Sequence, residues 1–328
     1  MKAIVYEKYG SPDNFKLKEI EKPLPLESEV LVKVHAASLN AFDWHVMRAD
    51  PFIIRLMGFG LLKPKNKIPG ADFSGVVEAV GVNVKGFKPG DEVFGCGSGS
   101  FAGYLCISEN KLAIKSKDIS FTEAAAIPMA ALTALQGLRD YGQIQKGQKV
   151  LIEGASGGVG TFAVQIAKSF GAEVTAVCST SKMETARLTG ADHIIDYTKE
   201  DFTKSNLKYD IIYAANGHHS IFDYKRVLNP NGICVMSGGD ASIFKFFKDM
   251  ILGLWISKTT DRKILSFIAD INQNDLLYLN ELVEAGKVKP VIDKEYSLRE
   301  SADAIRYLEE KHAKGKVIIM MEDEDIPG

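Results

Sequence analysis

The stretch that decides the fold is Val150 to Ala172, VLIEGASGGVGTFAVQIAKSFGA. It opens as a buried apolar strand, passes through a glycine-rich turn from Gly154 to Gly160, and runs directly into an amphipathic helix. That order suits a dinucleotide, because a helix N-terminus offers unpaired N–H groups and the positive end of the helix dipole. Gly157 allows the backbone to approach a pyrophosphate, and Gly160 allows the helix to pack closely on its strand. Ala155 stands where the first glycine of the usual fingerprint sits, and Ser156, Gly158 and Val159 complete the expected cradle. A plain tight turn is the competing reading of the same glycines.

Moving outward, a carboxylate about twenty residues past the glycines is what holds the ribose 2′-hydroxyl in NAD-binding turns. Here that place reads Cys178, Ser179, Thr180, Ser181, Lys182. Hydroxyls and an ammonium suit a 2′-phosphate, which an acid would repel, so NADPH is the expected cofactor. The same residues also suit a helix cap before Met183, and the two roles are compatible. Ligands in open α/β sheets lie beyond the carboxyl ends of the strands. Ala215, Asn216 and Gly217 in one loop, and Ser237, Gly238 and Gly239 in another, are therefore expected to complete the site. Tyr197 closes the run IIDY and either covers the adenine, reaches the 2′-phosphate or simply packs.

Around this centre the texture of the chain alternates. Apolar runs VLIEG, VTAVC, IIDY, IIYAA, GICVMSG and ILSFIAD are separated by helical patterns, which predicts a doubly wound parallel sheet. TEAAAIPMAALTALQGL reads as helical. The first third is different, with short β-like runs such as VLVKVHAASL, GVVEAVGVNV and DEVFGCG set between Gly and Pro. A chain of 328 residues is long enough for two cores. The expected division is a β-rich domain over 1–122, a dinucleotide-binding domain over 123–271, and a segment 272–328 returning to the first. Its helices NDLLYLNELVEAG and SLRESADAIRYLEE precede a final strand, KVIIMM.

Forty basic residues against 42 acidic ones give a formal net charge of −2, which argues against a nucleic-acid partner. The N-terminus MKAIVYEKYG alternates like a strand and shows no secretory pattern, so the cytoplasm is the expected location. The most apolar late run, Ile251 to Ile256, is too short to span a bilayer and reads as an amphipathic or buried helix. Cys96, Cys106, Cys178 and Cys234 lack metal-site spacing and read as buried free thiols. The tail EDEDIPG reads as a solvated acidic end.

Taken together, SLNAFDWH, PGADFSGVVEAVGVNVKGFKPGDEVFG, AAAIPMAALTAL and GASGGVG resemble the medium-chain dehydrogenase/reductase superfamily, in its zinc-free quinone oxidoreductase branch, the zeta-crystallin-like proteins. The likeness covers essentially the whole chain. It implies a Rossmann domain beside a GroES-like substrate domain. In zinc-dependent members a Cys matches Asn40, a His-Glu pair matches Ala71 and Asp72, and a third Cys falls near Pro128 or Met129. None of that set is present, and residues 94–108 hold only Cys96 and Cys106 in place of a four-cysteine lobe, so no metal is expected. The resemblance also implies that Asn40, His45 and Thr133 border the nicotinamide and substrate, and that Lys182 and Tyr197 contact the 2′-phosphate.

Without a Lewis acid, hydride transfer favours conjugated acceptors, in which charge spreads to a distant oxygen that hydrogen bonds can hold. The leading expectation is thus NADPH-dependent reduction of a quinone or an α,β-unsaturated carbonyl compound. The alternatives are an NADP-dependent alcohol, aldehyde or ketone oxidoreductase, and an NADPH-binding module with little turnover. Asn40 can bind a substrate oxygen or a cofactor ribose, or only brace a turn. His45 can be a proton donor or structural. Asp43 orients a neighbour and Trp44 walls a pocket, or both support the core. The apolar segment 47–67 reads as a lid, a packed helix or a subunit contact. ILSFIAD is expected to be an edge strand able to pair across a two-fold axis, giving a homodimer.

Overall fold

A computed structural model describes residues 1–238, 243–310 and 313–321. Gly239 and the acidic tail 322–328 lie outside the described residues. The chain divides into two compact units. The first comprises Met1–Met129, Ile271–Glu284 and Pro290–Gly328, and the second Ala130–Asp270 and Ala285–Lys289.

The second unit holds a six-stranded sheet in the order His193–Asp196, Glu173–Cys178, Lys149–Glu153, Tyr209–Ala214, Leu228–Met236, Lys263–Ser266. Every pair is parallel. Numbered along the chain this is the doubly wound order 3-2-1-4-5-6, with the chain reversing direction beside Lys149–Glu153. The apolar runs become strands because Leu151, Val177, Ile212 and Cys234 all enter one buried cluster with Tyr224, Val227 and Ile256. The helix Gly158–Ser169 buries Phe162, Ala163, Val164 and Ile166.

Two details depart from the expectation from sequence. The helical run 122–138 is two helices, Phe121–Ala126 and Pro128–Gln136. Ser120 and Glu123 form a capping box at the start of the first, and Pro128, with no N–H to donate, starts the second. ILSFIAD is strand only to Ser266; Phe267 leaves the sheet to stack on Tyr141, with ring centroids 4.5 Å apart. The helix Ile243–Thr259 buries Ile256 completely but leaves Ile251, Leu254 and Trp255 more than half exposed. Among the described residues no helix is long and apolar enough to cross a membrane.

The first unit is built on a seven-stranded sheet. Its path runs Ile292–Ser297, Lys316–Met320, Glu29–Leu39, Asp72–Val80, Glu92–Cys96, Leu112–Ile114, and Tyr104–Ser108 also pairs with Glu29–Leu39. The last strand therefore lies antiparallel to Glu29–Leu39, with Val317 opposite Leu39. Alternation along Asp72–Val80 sorts residues between faces. Phe73 enters the apolar cluster with Val30, Val32, Val93 and Leu105, while its neighbour Asp72 is fully buried and answered by polar groups. Phe73→Ala should lower unfolding stability by about 3–5 kcal/mol, as large-to-small core changes do, read as a fall in the denaturant midpoint at constant slope.

Candidate active site

In the second unit the strand ends are zipped together by backbone bonds. Ala155 N donates to Val177 O (3.2 Å), Ala215 N to Glu153 O (3.1 Å), Ser237 N to Ala214 O (3.1 Å) and Gly217 N to Gly238 O (3.3 Å). The loops around residues 155–160, 215–217 and 237–238 thus meet at the carboxyl end of the central strands. Gly157 is the N-cap of the helix Gly158–Ser169 and has no side chain with which to cap it. The N–H groups of Gly158, Val159 and Gly160 occupy the first turn, where no intrahelical acceptor exists. A Cβ on Gly160 would lie 2.0 Å from Gly154 O and 2.7 Å from Ala155 Cα, so only glycine permits this approach of helix to turn. Gly154 has φ +76°, in the left-handed region.

Beyond the second strand, Ser179 precedes a short turn Thr180–Lys182, with Lys182 N donating to Ser179 O (2.9 Å). Tyr197 is exposed, and its N donates to Cys178 O (3.1 Å). The structure adds an acid that the search along the second strand did not reveal, because it arrives on the next one. Asp196 pairs in register with Cys178. Its carboxylate accepts from Thr180 Oγ1 (2.5 Å), Thr198 Oγ1 (2.7 Å) and Thr198 N (3.1 Å), and Lys199 lies 3.4 Å away. Hydrogen bonds from Thr180 and Thr198 hold it well below the usual carboxylate range. Thr133 lies on the helix Pro128–Gln136, and its carbonyl accepts from Tyr213 Oη (3.0 Å).

Beneath the glycine turn sits a cluster that carries no distinctive sequence signal. Glu153 is 5% exposed and accepts from Tyr224 Oη (2.5 Å) and His219 Nδ1 (3.0 Å); His219 Nε2 lies 3.4 Å from Asp201. The hydrogen bond to Glu153 raises the His219 imidazole above its ordinary value. Phe202 packs edge-on against His219 and Tyr224 backs both. His219 is thereby a brace for the loop that follows Tyr209–Ala214.

In the first unit, Asn40 is the N-cap of the helix Ala41–Arg48, and its backbone N donates to Asp43 Oδ2 (2.7 Å). Asn40 Nδ2 donates to Asp72 Oδ2 (2.9 Å), which also accepts from Met129 N (3.2 Å). Lys316, 2% exposed, donates through Nζ to Leu39 O (2.9 Å) and Asn40 Oδ1 (2.5 Å), and lies 3.7 Å from Asp72 Oδ2. Sequence reasoning missed Lys316 altogether. Burial draws the Lys316 ammonium down and pushes the Asp72 carboxyl up, and the attraction between them opposes both effects. Burial, reinforced by Asp72, pushes the Cys96 thiol far up, so it stays protonated.

Asp43 faces a small cavity of about 40 Å³ together with Tyr6, Phe42, Phe59, Asn66 and Gly70. Burial raises its carboxyl to about 7 against the lowering effect of the Asn40 N–H. His45 is placed differently. Its Nδ1 donates to Asp50 O (2.7 Å), and its ring stacks on Trp44 at 3.6 Å between centroids. Trp44 packs against the core residues around Leu39, Met47 and Ile305. The structure thus gathers Asn40 and Asp43 with Asp72 and Lys316, and sets His45 one turn along the helix against an indole. In the segment 47–67, Tyr9 Oη lies 2.8 Å from Phe59 O and 2.7 Å from Gly60 O, which ties the turn Arg55–Phe59 to its own domain. Phe52, Leu56, Met57 and Leu62 remain exposed. All four cysteines are free; Cys106 is only half-buried, the others buried.

Two outcomes check this geometry. Gly160→Ala must displace the turn, so affinity for a nicotinamide dinucleotide, measured by quenching or calorimetry, should fall by about tenfold or more, the factor that about 1.4 kcal/mol carries. For Asp43, the folded value of about 7 lies above the unfolded value of about 3.9. The folded state therefore binds the extra proton, and the stability it contributes is full below about 3.9 and lost as pH rises through about 7. Asp43→Asn, scanned by thermal unfolding from acid to alkaline pH, should flatten that decline.

Comparison with known proteins agrees with this architecture. Residues 26–118 match the family model described as alcohol dehydrogenase GroES-like domain, and residues 189–319 that described as zinc-binding dehydrogenase. A 2-methylene-furan-3-one reductase of Solanum lycopersicum is 38% identical over 97% of this chain and 79% of its own length. An NADPH-dependent alkenal/one oxidoreductase of Arabidopsis thaliana, chloroplastic, is 36% identical with the same coverage. The quinone oxidoreductase structure from Coxiella burnetii superposes with a TM-score of 0.85 at 29% identity, covering 98% of this chain and 99% of that one. The chain belongs to the medium-chain dehydrogenase/reductase superfamily, in its quinone oxidoreductase-like branch.

Proposed function

We propose that this chain, an oxidoreductase of the NAD(P)H-dependent kind, uses NADPH to reduce a quinone or an α,β-unsaturated carbonyl compound without zinc. The observation that carries the reading is the donor set around Asn40. An amide pinned between Lys316 Nζ (2.5 Å) and Asp72 Oδ2 (2.9 Å) is a hydrogen-bonding site for an oxygen. Catalytic zinc takes three protein ligands from Cys, His and carboxylate. Here Asn40, Ala71, Asp72 and Pro128 or Met129 stand at the matching positions, and the buried Lys316 ammonium 3.7 Å from Asp72 repels a dication. The residues present do not fit zinc.

The second unit supports the cofactor side. The uncapped N-terminus of Gly158–Ser169 suits a pyrophosphate, with Ala155, Ser156, Gly157, Gly158, Val159 and Gly160 as the cradle. Ser179, Lys182 and Tyr197 suit the 2′-phosphate, while the Thr180 hydroxyl is spent on Asp196, which Thr180 and Thr198 together engage. Ala215, Asn216, Gly217, Ser237 and Gly238 complete the rim. Asn40 and Thr133 belong to the nicotinamide end of the same reading. Bound NADPH supplies the hydride. Asn40 Nδ2–H meets the charge that develops on the acceptor oxygen, and Asp43, whose carboxyl titrates near neutrality and accepts from Asn40 N at 2.7 Å, holds a transferable proton next to it. The edge strand Lys263–Ser266 is the expected seam of a homodimer, and a cytoplasmic location completes the proposal.

The test is NADPH oxidation by chelator-treated protein with quinones, enones, simple ketones and aldehydes, and with NADH for comparison. Turnover of conjugated acceptors that survives chelation is expected. Lys182→Ala should raise KM for NADPH by about tenfold, since a charge-assisted bond is lost, and leave NADH unchanged. Equal turnover of isolated ketones, or loss of activity on chelation, overturns the reading. Tight cofactor binding with no turnover of any acceptor favours a binding module instead.

A further inference from the structure

We propose that Lys316 is a positioning residue, which fixes the Asn40 carboxamide in one orientation and so commits its second Nδ2–H as a hydrogen-bond donor. The inference rests on the function proposed above and adds to it a residue on the last strand of the chain. A primary amide is nearly symmetric in shape, and a half-turn exchanges its donor end for its acceptor end. What fixes such a group is a pair of neighbours that cannot exchange roles. An ammonium only donates and an ionised carboxylate only accepts.

Asn40 has one of each. Lys316 Nζ donates to its Oδ1 at 2.5 Å, and its Nδ2 donates to Asp72 Oδ2 at 2.9 Å. Turning the amide over would set an NH₂ against the ammonium and an oxygen against the carboxylate. Both neighbours are themselves immobilised, Lys316 by Leu39 O at 2.9 Å and Asp72 by Met129 N at 3.1 and 3.2 Å. Asn40 N is held by Asp43 Oδ2 at 2.7 Å, which fixes the backbone from which the side chain springs. Oδ1 is thus taken by a cation and one amide hydrogen by an anion, leaving the other hydrogen. Asn40 is also the least buried of the three, 9% exposed against 2% for Lys316 and 0% for Asp72. Both charged groups thus flank the amide from buried positions.

A purely structural ion pair would behave differently when replaced. Removing one partner leaves an unpaired buried charge, whereas removing both is often tolerated. Lys316→Met alone is therefore expected to unfold readily, and Lys316→Met/Asp72→Asn to recover stability. In that double variant Asn40 faces a second carboxamide, which both donates and accepts, so either orientation of its own amide is permitted. With saturating NADPH and an enone, kcat of the double variant should fall by about twofold, the share of amides turned away, with Tm within a few degrees of the parent. Adding Asn40→Ala to it should bring the rate down to that of Asn40→Ala alone and no lower. In ¹H–¹⁵N spectra the Asn40 side-chain pair, identified by its absence in Asn40→Ala, should be sharp in the parent and broadened in the double variant.

Full activity with restored stability would make Lys316 structural only and overturn the proposal. A loss that persists undiminished in the Asn40→Ala background would overturn it too, because Lys316 would then act by another route. An unbroadened amide pair in the double variant also counts against it. If Asn40→Ala keeps the parent rate, or the parent reduces no conjugated acceptor, the functional reading fails, and the amide resonances alone then decide whether Lys316 holds Asn40.

Discussion

A lysine ammonium that is 2% exposed has lost its water and must be answered from within the protein. Leu39 O, Asn40 Oδ1 and the Asp72 carboxylate answer Lys316, and by doing so they tie three segments distant in sequence: the end of Glu29–Leu39, the start of Asp72–Val80 and the start of Lys316–Met320. The strand register that brings Val317 opposite Leu39 sets Lys316 next to Asn40. The sheet of the first unit and its buried charges are therefore mutually dependent. A shift of register would strand an ammonium among apolar side chains. Asp43 adds a second acid to the same neighbourhood, and its elevated carboxyl lets the cluster hold one cation and one anion until Asp43 releases its proton as pH rises through about 7.

The second unit solves its problem with backbone. Strand ends are joined by main-chain hydrogen bonds, the helix Gly158–Ser169 presents N–H groups, and close approaches at Gly160, Gly217 and Gly238 leave no room for a Cβ. Side chains enter mainly as braces behind the loops: Glu153 with Tyr224 and His219 on one side, Asp196 with Thr180 and Thr198 on the other.

This difference explains what was legible in the sequence. A site made of backbone needs particular residue types at fixed spacing, so the run from Gly154 to Gly160 between a strand and a helix announces itself, and the six parallel strands follow from alternation of apolar runs and helices. Membership in the superfamily was legible for the same reason, since its motifs are largely turns. A site made of side chains from distant strands has no local signature. Lys316 reads as an ordinary charged residue opening a strand, and only the pairing of Lys316–Met320 with Glu29–Leu39 shows that it is buried. Asp72 was visible as a departure from the zinc pattern, but its partners were not. Asp196 escaped because the search followed one strand while the acid came from its neighbour. The helix break at Pro128 was written in the sequence and is a local rule that the run of alanines obscured.

The two kinds of construction also differ in what substitution does to them. Where glycines permit contact between backbones, a side chain of any chemistry disrupts the shape, and the turn either survives intact or fails. Where a buried amide lies between a cation and an anion, chemistry can change while shape is kept. By the resemblance, Asn40 stands where zinc-dependent members carry a cysteine, and here it lies between the end of Glu29–Leu39 and the start of the helix Ala41–Arg48. Exchanging a thiolate for an amide removes a metal ligand and supplies a hydrogen-bond donor, provided that the space and charge vacated by the metal are taken up. A lysine from the final strand meets that proviso, because one positive charge beside Asp72 preserves the local balance that burial demands. On the reading proposed above, the chemistry at Asn40 is therefore a side-chain matter of the first unit, with the strand register as the frame that holds ammonium, amide and carboxylate together.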